Sequence, residues 1–374
     1  MATFDVTPRA NAGYLRPLSA LPVFVYSLSA SLRLRGEQVF PHYTTLMAHR
    51  QIEAEVERLN LLREAAPSEA ATALRKALSD RVNLIVAKAA KMAAEIRLHD
   101  LLPDLLHAFD RLFEKPVERD PQCWGKNAIS KALVALDHRE SAPFLRGIHH
   151  IQMEPVWGGE ADTAATLRGT CALALPSCSD IARAGIFRHL VDTLADSALP
   201  VRSDAVRAIA QMQGDEAILL LRLKARQGDG ESEVTGQAFD YLFQLEREQA
   251  LPFVAEFLQP KLGPVAEEAA LALGSSRLPG AAPLLEQSFA RQRDPDFRQV
   301  LLRSLSSTRQ PPALDFLLNL VRNAREADAL CAIEALALHR DSADIRRQVE
   351  HAAGQREPAV REHYKKSFAR AENA

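Results

Sequence analysis

The sequence predicts an all-α protein built as a right-handed α-helical solenoid of helical hairpins, and three observations support this prediction. The stretch Val201–Met212 recurs in recognisable copies toward the C-terminus. Its apolar residues Val201, Ala205, Ile209 and Met212 are spaced by four, four and three residues, so they share one helical face. The chain has 374 residues, 47% of them hydrophobic and only 6% aromatic, which favours a repeat array over a single core.

The first 65 residues do not follow the repeat, and we interpret them as an N-terminal arm and cap. Residues 1–17 mix Pro, Asn and Gly with few apolar residues, which indicates an extended arm. Over residues 24–34 every second residue is apolar, which predicts a strand that a turn at residues 35–38 would fold into a β-hairpin. The same stretch also fits a helix. The segment either covers the exposed end of the array or offers a docking arm to another protein.

From residue 66 to residue 374 the pattern is helical and repeats. The first apolar residue of each repeat is its anchor, and the anchors are Val82, Cys123, Thr163, Val201, Val234, Val265, Phe297, Leu330 and Val360. They are separated by 41, 40, 38, 33, 31, 32, 33 and 30 residues, so the later units are the shorter and more regular ones. A second helix completes each unit, predicted at Leu101–Phe113, Ala142–His150, Ile181–Leu194, Ala217–Lys224, Ala250–Leu258, Ala281–Ala290, Pro312–Arg322 and Ser342–Ala352.

The pattern Val201-Arg-x-x-Ala-x-x-Ala-Ile, with a spacing near thirty residues, resembles HEAT repeats. It is similar to the short form also found in phycobilin-lyase-type proteins, and the resemblance covers residues 68–370. It implies a stack of helical hairpins. Between residues 82 and 200 the connections are longer than in the short form. Bilin lyases and alkylpurine DNA glycosylases are HEAT-like families with defined chemistry, but no residue-by-residue match transfers either activity to this chain.

The segment from His149 to Asp162 is the least repeat-like part of the array and is predicted to be a long loop. Such a loop is where a solenoid would hold a site. Its candidate binding residues are His149, His150, Glu154, Trp157 and Asp162. In the alternative interpretation Trp157 plugs a joint between repeats, Gly158-Gly159 makes a tight turn, and Asp162 or Thr163 caps the next helix. No third ligand accompanies His150 and Glu154 at a diagnostic spacing, so no metal is predicted.

Trp124, Lys126 and Arg168 occupy early positions on first helices of the hairpins, where they could share a groove with this loop. An aromatic ring and two cations on one wall could hold an anionic or planar ligand. Alternatively, Trp124 belongs to the core and the cations lie on a solvated face.

Cysteine spacing and the absence of catalytic motifs limit the chemistry that the sequence supports. Cys123, Cys171, Cys178 and Cys331 form no CxxC pair and no zinc-type cluster, which indicates buried thiols in a reducing compartment. The apolar run Leu18–Leu28 faintly resembles a signal peptide, but Pro22 and the interleaved serines weaken it, so we predict a cytoplasmic protein. No run is long enough to span a membrane. No catalytic residue and no cofactor is predicted.

Charge is distributed unevenly although the net charge is only -2. Between Ser203 and Glu268 twelve carboxylates face six cations, whereas between Arg277 and Arg309 six arginines face three carboxylates. The candidate basic surface consists of Arg291, Arg293, Arg298 and Arg303. An acidic segment followed by a basic one either orients docking on a protein surface of complementary charge or consists of ordinary solvated helix faces.

Three functions remain open on the sequence alone. The favoured one is a non-catalytic adaptor or scaffold that holds a protein partner, because stacked hairpins give a long, variable surface. The second is a nucleic-acid-binding or glycosylase-like solenoid, which is less favoured because no concentrated basic surplus with interleaved aromatics is present. The third is a lyase-like protein that handles a chromophore or cofactor.

Overall fold

The computed structural model describes residues 41–369, and the chain divides into two compact units, Met1–Gln51 and Ile52–Ala374. Of the first unit, the described part contains only the beginning of helix α1 (Pro41–Asn60). The predicted arm over residues 1–17 and the predicted strand or helix over residues 24–34 lie outside the described residues. The boundary at residue 65 stays a prediction.

The second unit contains a layer of helices that follow one another in space in their order along the chain. Each packs against the next member of the layer. These first-layer helices are α3 (Asn83–Glu95), α6 (Trp124–Ala135), α8 (Ala165–Ala174), α10 (Leu199–Met212), α12 (Ser232–Glu246), α14 (Pro264–Ser276), α16 (Pro295–Ser307), α18 (Glu326–Leu336) and α20 (Pro358–Phe368).

A second layer alternates with the first along the chain, and each of its helices packs on a first-layer neighbour. Its members are α2 (Pro67–Leu78), α4 (Leu102–Leu112), α7 (Ala142–Ile148), α9 (Arg183–Thr193), α11 (Gly214–Gln227), α13 (Ala250–Ala255), α15 (Ala281–Arg291), α17 (Pro311–Asn323) and α19 (Ala343–Gly354). The short helix α5 (Pro116–Arg119) precedes α6. This arrangement confirms the predicted all-α solenoid. Within residues 41–369 no helix is both long and apolar enough to cross a membrane.

Helix α10 shows why the repeat sequence folds this way. Val201, Ala205 and Ile209 are fully buried on the predicted face, and Met212 closes the stripe. The helix ends at Met212, and the next two residues, Gln213 and Gly214, have positive φ angles of 54° and 79°. The reversal is therefore tighter than predicted, because α11 already begins at Gly214 and absorbs Asp215 and Glu216 into its first turn.

Small residues let the first-layer helices approach closely. Ala132, Ala172, Ala208 and similar alanines are buried along the layer. The approach at Gly274 in α14 is close, because an added Cβ would lie 2.8 Å from the Ser304 Cα of α16. The contact is backbone against backbone, so only glycine fits there.

Arginine–aspartate pairs join successive repeats across the turns. Arg202 in α10 donates from Nε and Nη2 to Asp229 just before α12, at 2.9 and 2.7 Å. Arg168 in α8 makes the same two-pronged contact with Asp196 before α10, at 2.7 and 2.9 Å. Arg168 and Arg202 therefore occupy equivalent positions in their repeats, and so do the buried residues just before them, Leu167 and Val201. The anchor of the third unit is thus Leu167 and not the predicted Thr163.

Candidate functional site

The segment predicted as a loop between His149 and Asp162 folds as a β-hairpin. Strand β1 (Met153–Val156) pairs antiparallel with β2 (Gly159–Asp162), and Val156 faces Gly159 across the turn. Two residues, Trp157 and Gly158, connect the strands, and Gly158 adopts φ 96°. The glycine pair therefore makes a tight turn, as one interpretation of the sequence predicted.

Buried hydrogen bonds fix the base of this hairpin to the turn before α6. The Glu154 carboxylate is almost fully buried and accepts hydrogen bonds from the backbone N–H of Gln122, at 2.7 and 3.0 Å. Gln152 Nε2 and Thr163 Oγ1 each donate to Glu154 Oε1 at 2.6 Å. Gln152 Nε2 also lies 2.8 Å from the Asp120 carbonyl oxygen, to which it donates. With all these donors, Glu154 holds the hairpin in place and has little capacity left for a ligand.

Asp162 and Arg168 fix the other strand. Asp162 Oδ1 accepts hydrogen bonds from the backbone N–H groups of Gln152 and Ala164 at 3.1 and 3.0 Å, and its Oδ2 lies 2.6 Å from Arg168 Nη1. Burial by itself would raise the pKa of Asp162, but these hydrogen bonds and the guanidinium hold it below its ordinary value. Arg168 is nearly inaccessible and also binds Asp196. This cluster joins the hairpin to the repeat stack.

Lys126 is also a structural residue at this place. Its side chain and that of Asp120 are fully buried and form an ion pair at 3.0 Å. Asp120 further accepts from the backbone N–H groups of Gly125 and Lys126, at 2.7 and 2.9 Å, and so caps the start of α6. The Lys126 ammonium is therefore committed to the fold and does not reach a surface ligand.

The exposed residues of the hairpin are mostly apolar. We call Ile151, Met153, Val156 and Trp157 the hairpin patch. Trp157 is 96% exposed and Ile151 is 65% exposed, so Trp157 does not plug a joint between repeats. Trp124, at the first position of α6, is 46% exposed and follows the turn that Glu154 binds. The structure thus separates the predicted site into a buried polar base and an exposed apolar tip.

The two histidines of the predicted site take different places. His149 is exposed, and its Nε2 lies 3.1 Å from Nδ1 of His189 in α9. His150 is half-buried, lies 3.1 Å from Gln152 Oε1 through Nε2, and packs edge-on against Phe113. Burial lowers the pKa of His150, although the contact with Gln152 opposes this. No group of three or more potential metal ligands occurs within residues 41–369.

Cys123, Cys171 and Cys178 are buried as predicted, whereas Cys331 is only partly buried. Burial raises the pKa of Cys123 to about 12 and that of Cys178 to about 11. A thiol with such a pKa is a poor nucleophile at neutral pH, because the thiolate is the reactive form.

The predicted basic surface is only partly available. Arg298 in α16 donates to Asp328 at 2.8 Å and to the Gln292 carbonyl oxygen at 2.8 Å, and its guanidinium stacks on Phe289. It therefore belongs to the same class of inter-repeat contact as Arg202. Arg291, Arg293 and Arg303 are exposed, and Arg303 lies 3.9 Å from Glu334.

A groove that the sequence did not predict lies between α9 and α11 and has a volume of about 730 Å³. Phe187, Val191, Leu219 and Leu220 form its apolar lining. The sequence signal was the run of Ile and Leu in α11, which holds more apolar residues than one buried face requires. Leu219 remains 66% exposed.

The fold defines this chain as an all-α solenoid of paired helices. No protein-family model and no curated protein sequence matches it. Among solved structures, an engineered protein is similar at 14% identity and a TM-score of 0.36, over 88% of this chain and 95% of its own length. Human deoxyhypusine hydroxylase in complex with glycerol is similar at 18% identity and a TM-score of 0.27, over 72% and 99%. Both similarities are too distant to support any argument about activity.

Proposed function

We propose that the protein is a non-catalytic scaffold that binds a protein partner through the hairpin patch. The observation that carries this proposal is Trp157, whose side chain is 96% exposed at the tip of a hairpin with a buried, hydrogen-bonded base. Tryptophan side chains are on average largely buried in folded proteins, and tryptophan is one of the residues enriched among interface hot spots. A rigid base that presents an apolar tip also lowers the entropy cost of binding.

The polar contacts below the tip explain why the hairpin is built this way. Glu154, Gln152 and Asp162 each form hydrogen bonds that fix the hairpin, and these bonds are buried or partly buried. The apolar side chains of the same hairpin face solvent. A segment that served only to connect α7 and α8 would not need an exposed Trp157. The interaction we propose is insertion of Trp157 into an apolar pocket of the partner, with Met153 and Val156 at its border.

The two alternative functions have less support. For nucleic-acid binding, Arg298 is not available to contact phosphates because it is paired with Asp328. The exposed candidates are Arg291, Arg293 and Arg303. A chromophore wall made of Trp124, Trp157 and the histidines is disfavoured because Trp157 is almost fully solvated. The assignment of the repeats to the short HEAT form remains a proposal that rests on the pattern around Val201.

Affinity purification from the native cell, with quantitative mass spectrometry, tests the scaffold proposal. Three baits are compared: the wild type, Trp157→Ser and Leu338→Ser. Leu338 is the matched control because it is 59% exposed and lies outside the hairpin. We expect at least one protein to be recovered by the wild type and by Leu338→Ser, and to be depleted about 30-fold with Trp157→Ser, since hot-spot truncation costs about 2 kcal/mol or more.

The circular dichroism spectrum and melting temperature of the Trp157→Ser variant should match those of the wild type, because the side chain makes few contacts. If all three baits recover the same proteins in equal amounts, the hairpin patch is not a binding site and the proposal is wrong.

A further inference from the structure

The groove between α9 and α11 is a second surface with its own chemistry. Its walls are the facing sides of two helices that both pack on α10 behind them. The apolar lining includes the buried Phe187 and the exposed Val191 and Leu219. Leu223, one turn beyond Leu219 on α11, is also 52% exposed. Apolar surface is therefore continuous along this wall.

One end of the groove is held by Arg183 at the start of α9. Its guanidinium donates to the Met212 carbonyl oxygen at 2.6 Å and to Gln213, and it lies 3.3 Å from Glu216 of α11. The same guanidinium stacks on Phe187, 5.0 Å from the ring centre. Because Arg183 connects α9 to the start of α11, the groove is formed before any ligand arrives.

The wall of α9 also carries two charged groups without partners in the described part of the chain. Arg188 and Asp192 both line the groove, are both exposed and lie one helical turn apart. Their side chains form no ion pair with each other, and the side chains of the other described residues form no ion pair or hydrogen bond with them. An occupant can therefore pair with both charges without disrupting a contact inside the protein.

The chemistry of the walls favours a helix as the occupant. Backbone groups in the interiors of α9 and α11 are already paired within those helices, so an extended peptide would bury its own N–H and C=O groups without partners. A helix satisfies its own backbone and needs only an apolar stripe. Helix α9 has eleven residues and spans about 16 Å, which matches about three helical turns of the occupant.

We propose that this groove binds an amphipathic α-helix of another protein. The apolar stripe of that helix covers Val191 and Leu219, and an acidic and a basic residue at the border of the stripe pair with Arg188 and Asp192. The helix runs antiparallel to α9, so that its N-terminus lies beside the C-terminus of α9 and the opposite partial charges of the two helix dipoles meet. Its basic residue, opposite Asp192, therefore precedes its acidic residue. The proposal does not depend on the hairpin patch.

Fluorescence anisotropy with a dye-labelled, hydrocarbon-stapled helical peptide tests this inference on the full-length protein. The peptide carries Leu at i, i+3, i+4 and i+7, and a Lys followed four residues later by a Glu at the border of the Leu stripe. We expect saturable binding, a loss of more than about tenfold with Leu219→Asp, and no change with Leu338→Asp or Trp157→Ser.

Charge reversal makes the test specific. The double variant R188E/D192K should lose about tenfold in affinity for this peptide, because like charges then face each other, and should regain it with a peptide whose Lys and Glu are exchanged. Each variant should keep the wild-type melting temperature. The inference is overturned by the absence of saturable binding, by equal binding of both peptides to both proteins, or by sedimentation showing that Leu219 mediates dimerisation of this chain.

Discussion

Asp229 shows how much a single residue contributes to the joints of this solenoid. It lies nearly buried between Arg202 and Lys224, 2.7 Å from each, and also accepts the backbone N–H of Glu231 at 3.0 Å. Burial by itself would raise the pKa of Asp229, but the hydrogen bonds from Arg202 and Lys224 outweigh burial and hold it well below the ordinary value of 3.8. Folding therefore stabilises the ionised form of Asp229 relative to its protonated form.

This shift predicts a pH dependence of stability. A carboxyl whose pKa is depressed by folding stabilises the protein above pH 3.8, and this contribution is lost as the pH falls through the lower, folded-state pKa. Asp229→Asn should lower the free energy of unfolding at pH 7 by about 3–5 kcal/mol, because two buried cations lose their partner. In urea unfolding followed by circular dichroism, the difference from the wild type should shrink below about pH 4.

Asp315→Asn serves as the control, since Asp315 is exposed on α17 and has no partner in the described chain. It should change stability by less than about 0.5 kcal/mol. An Asp229→Asn deficit that stays constant from pH 7 to pH 3 would contradict the role given to this ion pair.

At the residue scale the sequence did not reveal which of the candidate side chains are exposed. Lys126, Glu154 and Arg168 were candidates for binding a ligand because Glu154 lies in the long segment from His149 to Asp162 and the two cations could share a groove with it. The structure buries all three. Packing between repeats brings the Gln122 backbone to Glu154 and Asp196 to Arg168, whereas the partner of Lys126 is Asp120 in the turn just before α6. Those partners are more than 25 residues away for Glu154 and Arg168, so local spacing did not reveal them.

At the element scale the repeat helices were the predictable part. The second helices lie within a few residues of their predicted bounds, because their apolar stripes must face the first layer whatever the details of the turns. The β-hairpin over residues 153–162 was not predicted. Its strands are four residues each. They are held by the contact of Glu154 with the distant Gln122 backbone and by the ion pair of Asp162 with Arg168, which no periodicity encodes.

The close packing of α14 against α16 at Gly274 predicts how a substitution there changes the stability of the protein. In Gly274→Ala the new methyl group would overlap the backbone of Ser304, so the two helices would have to separate. We expect a loss of about 1–3 kcal/mol in the free energy of unfolding, measured by urea denaturation.

Gly354→Ala is the matched comparison, because nothing lies within 4 Å of the added Cβ at the end of α19. It should be neutral or stabilising by up to about 1 kcal/mol, since alanine is the better helix former. If both substitutions have the same effect, close backbone contact at Gly274 does not limit the packing of the repeats.

At the scale of the whole second unit, the stacked repeats carry the two surfaces that we propose to bind partners. The hairpin patch interrupts the sequence between α7 and α8, and the groove lies one repeat further along, between α9 and α11. The two surfaces differ in chemistry. The hairpin patch presents the projecting Trp157, and the groove is apolar and carries the charges of Arg188 and Asp192 on one wall. A scaffold with both can hold two segments of one partner or two separate partners.

Site-specific photocrosslinking from the border of the hairpin patch in the native cell tests the central claim most directly, because it leaves Trp157 in place. Benzoylphenylalanine replaces the exposed Val156 in one protein and the exposed Leu338 in a matched one, and the adducts are identified by mass spectrometry. We expect a dominant adduct with a discrete protein from position 156 that is absent from position 338. No adduct at position 156, or the same adducts from both positions, would contradict binding through the hairpin patch.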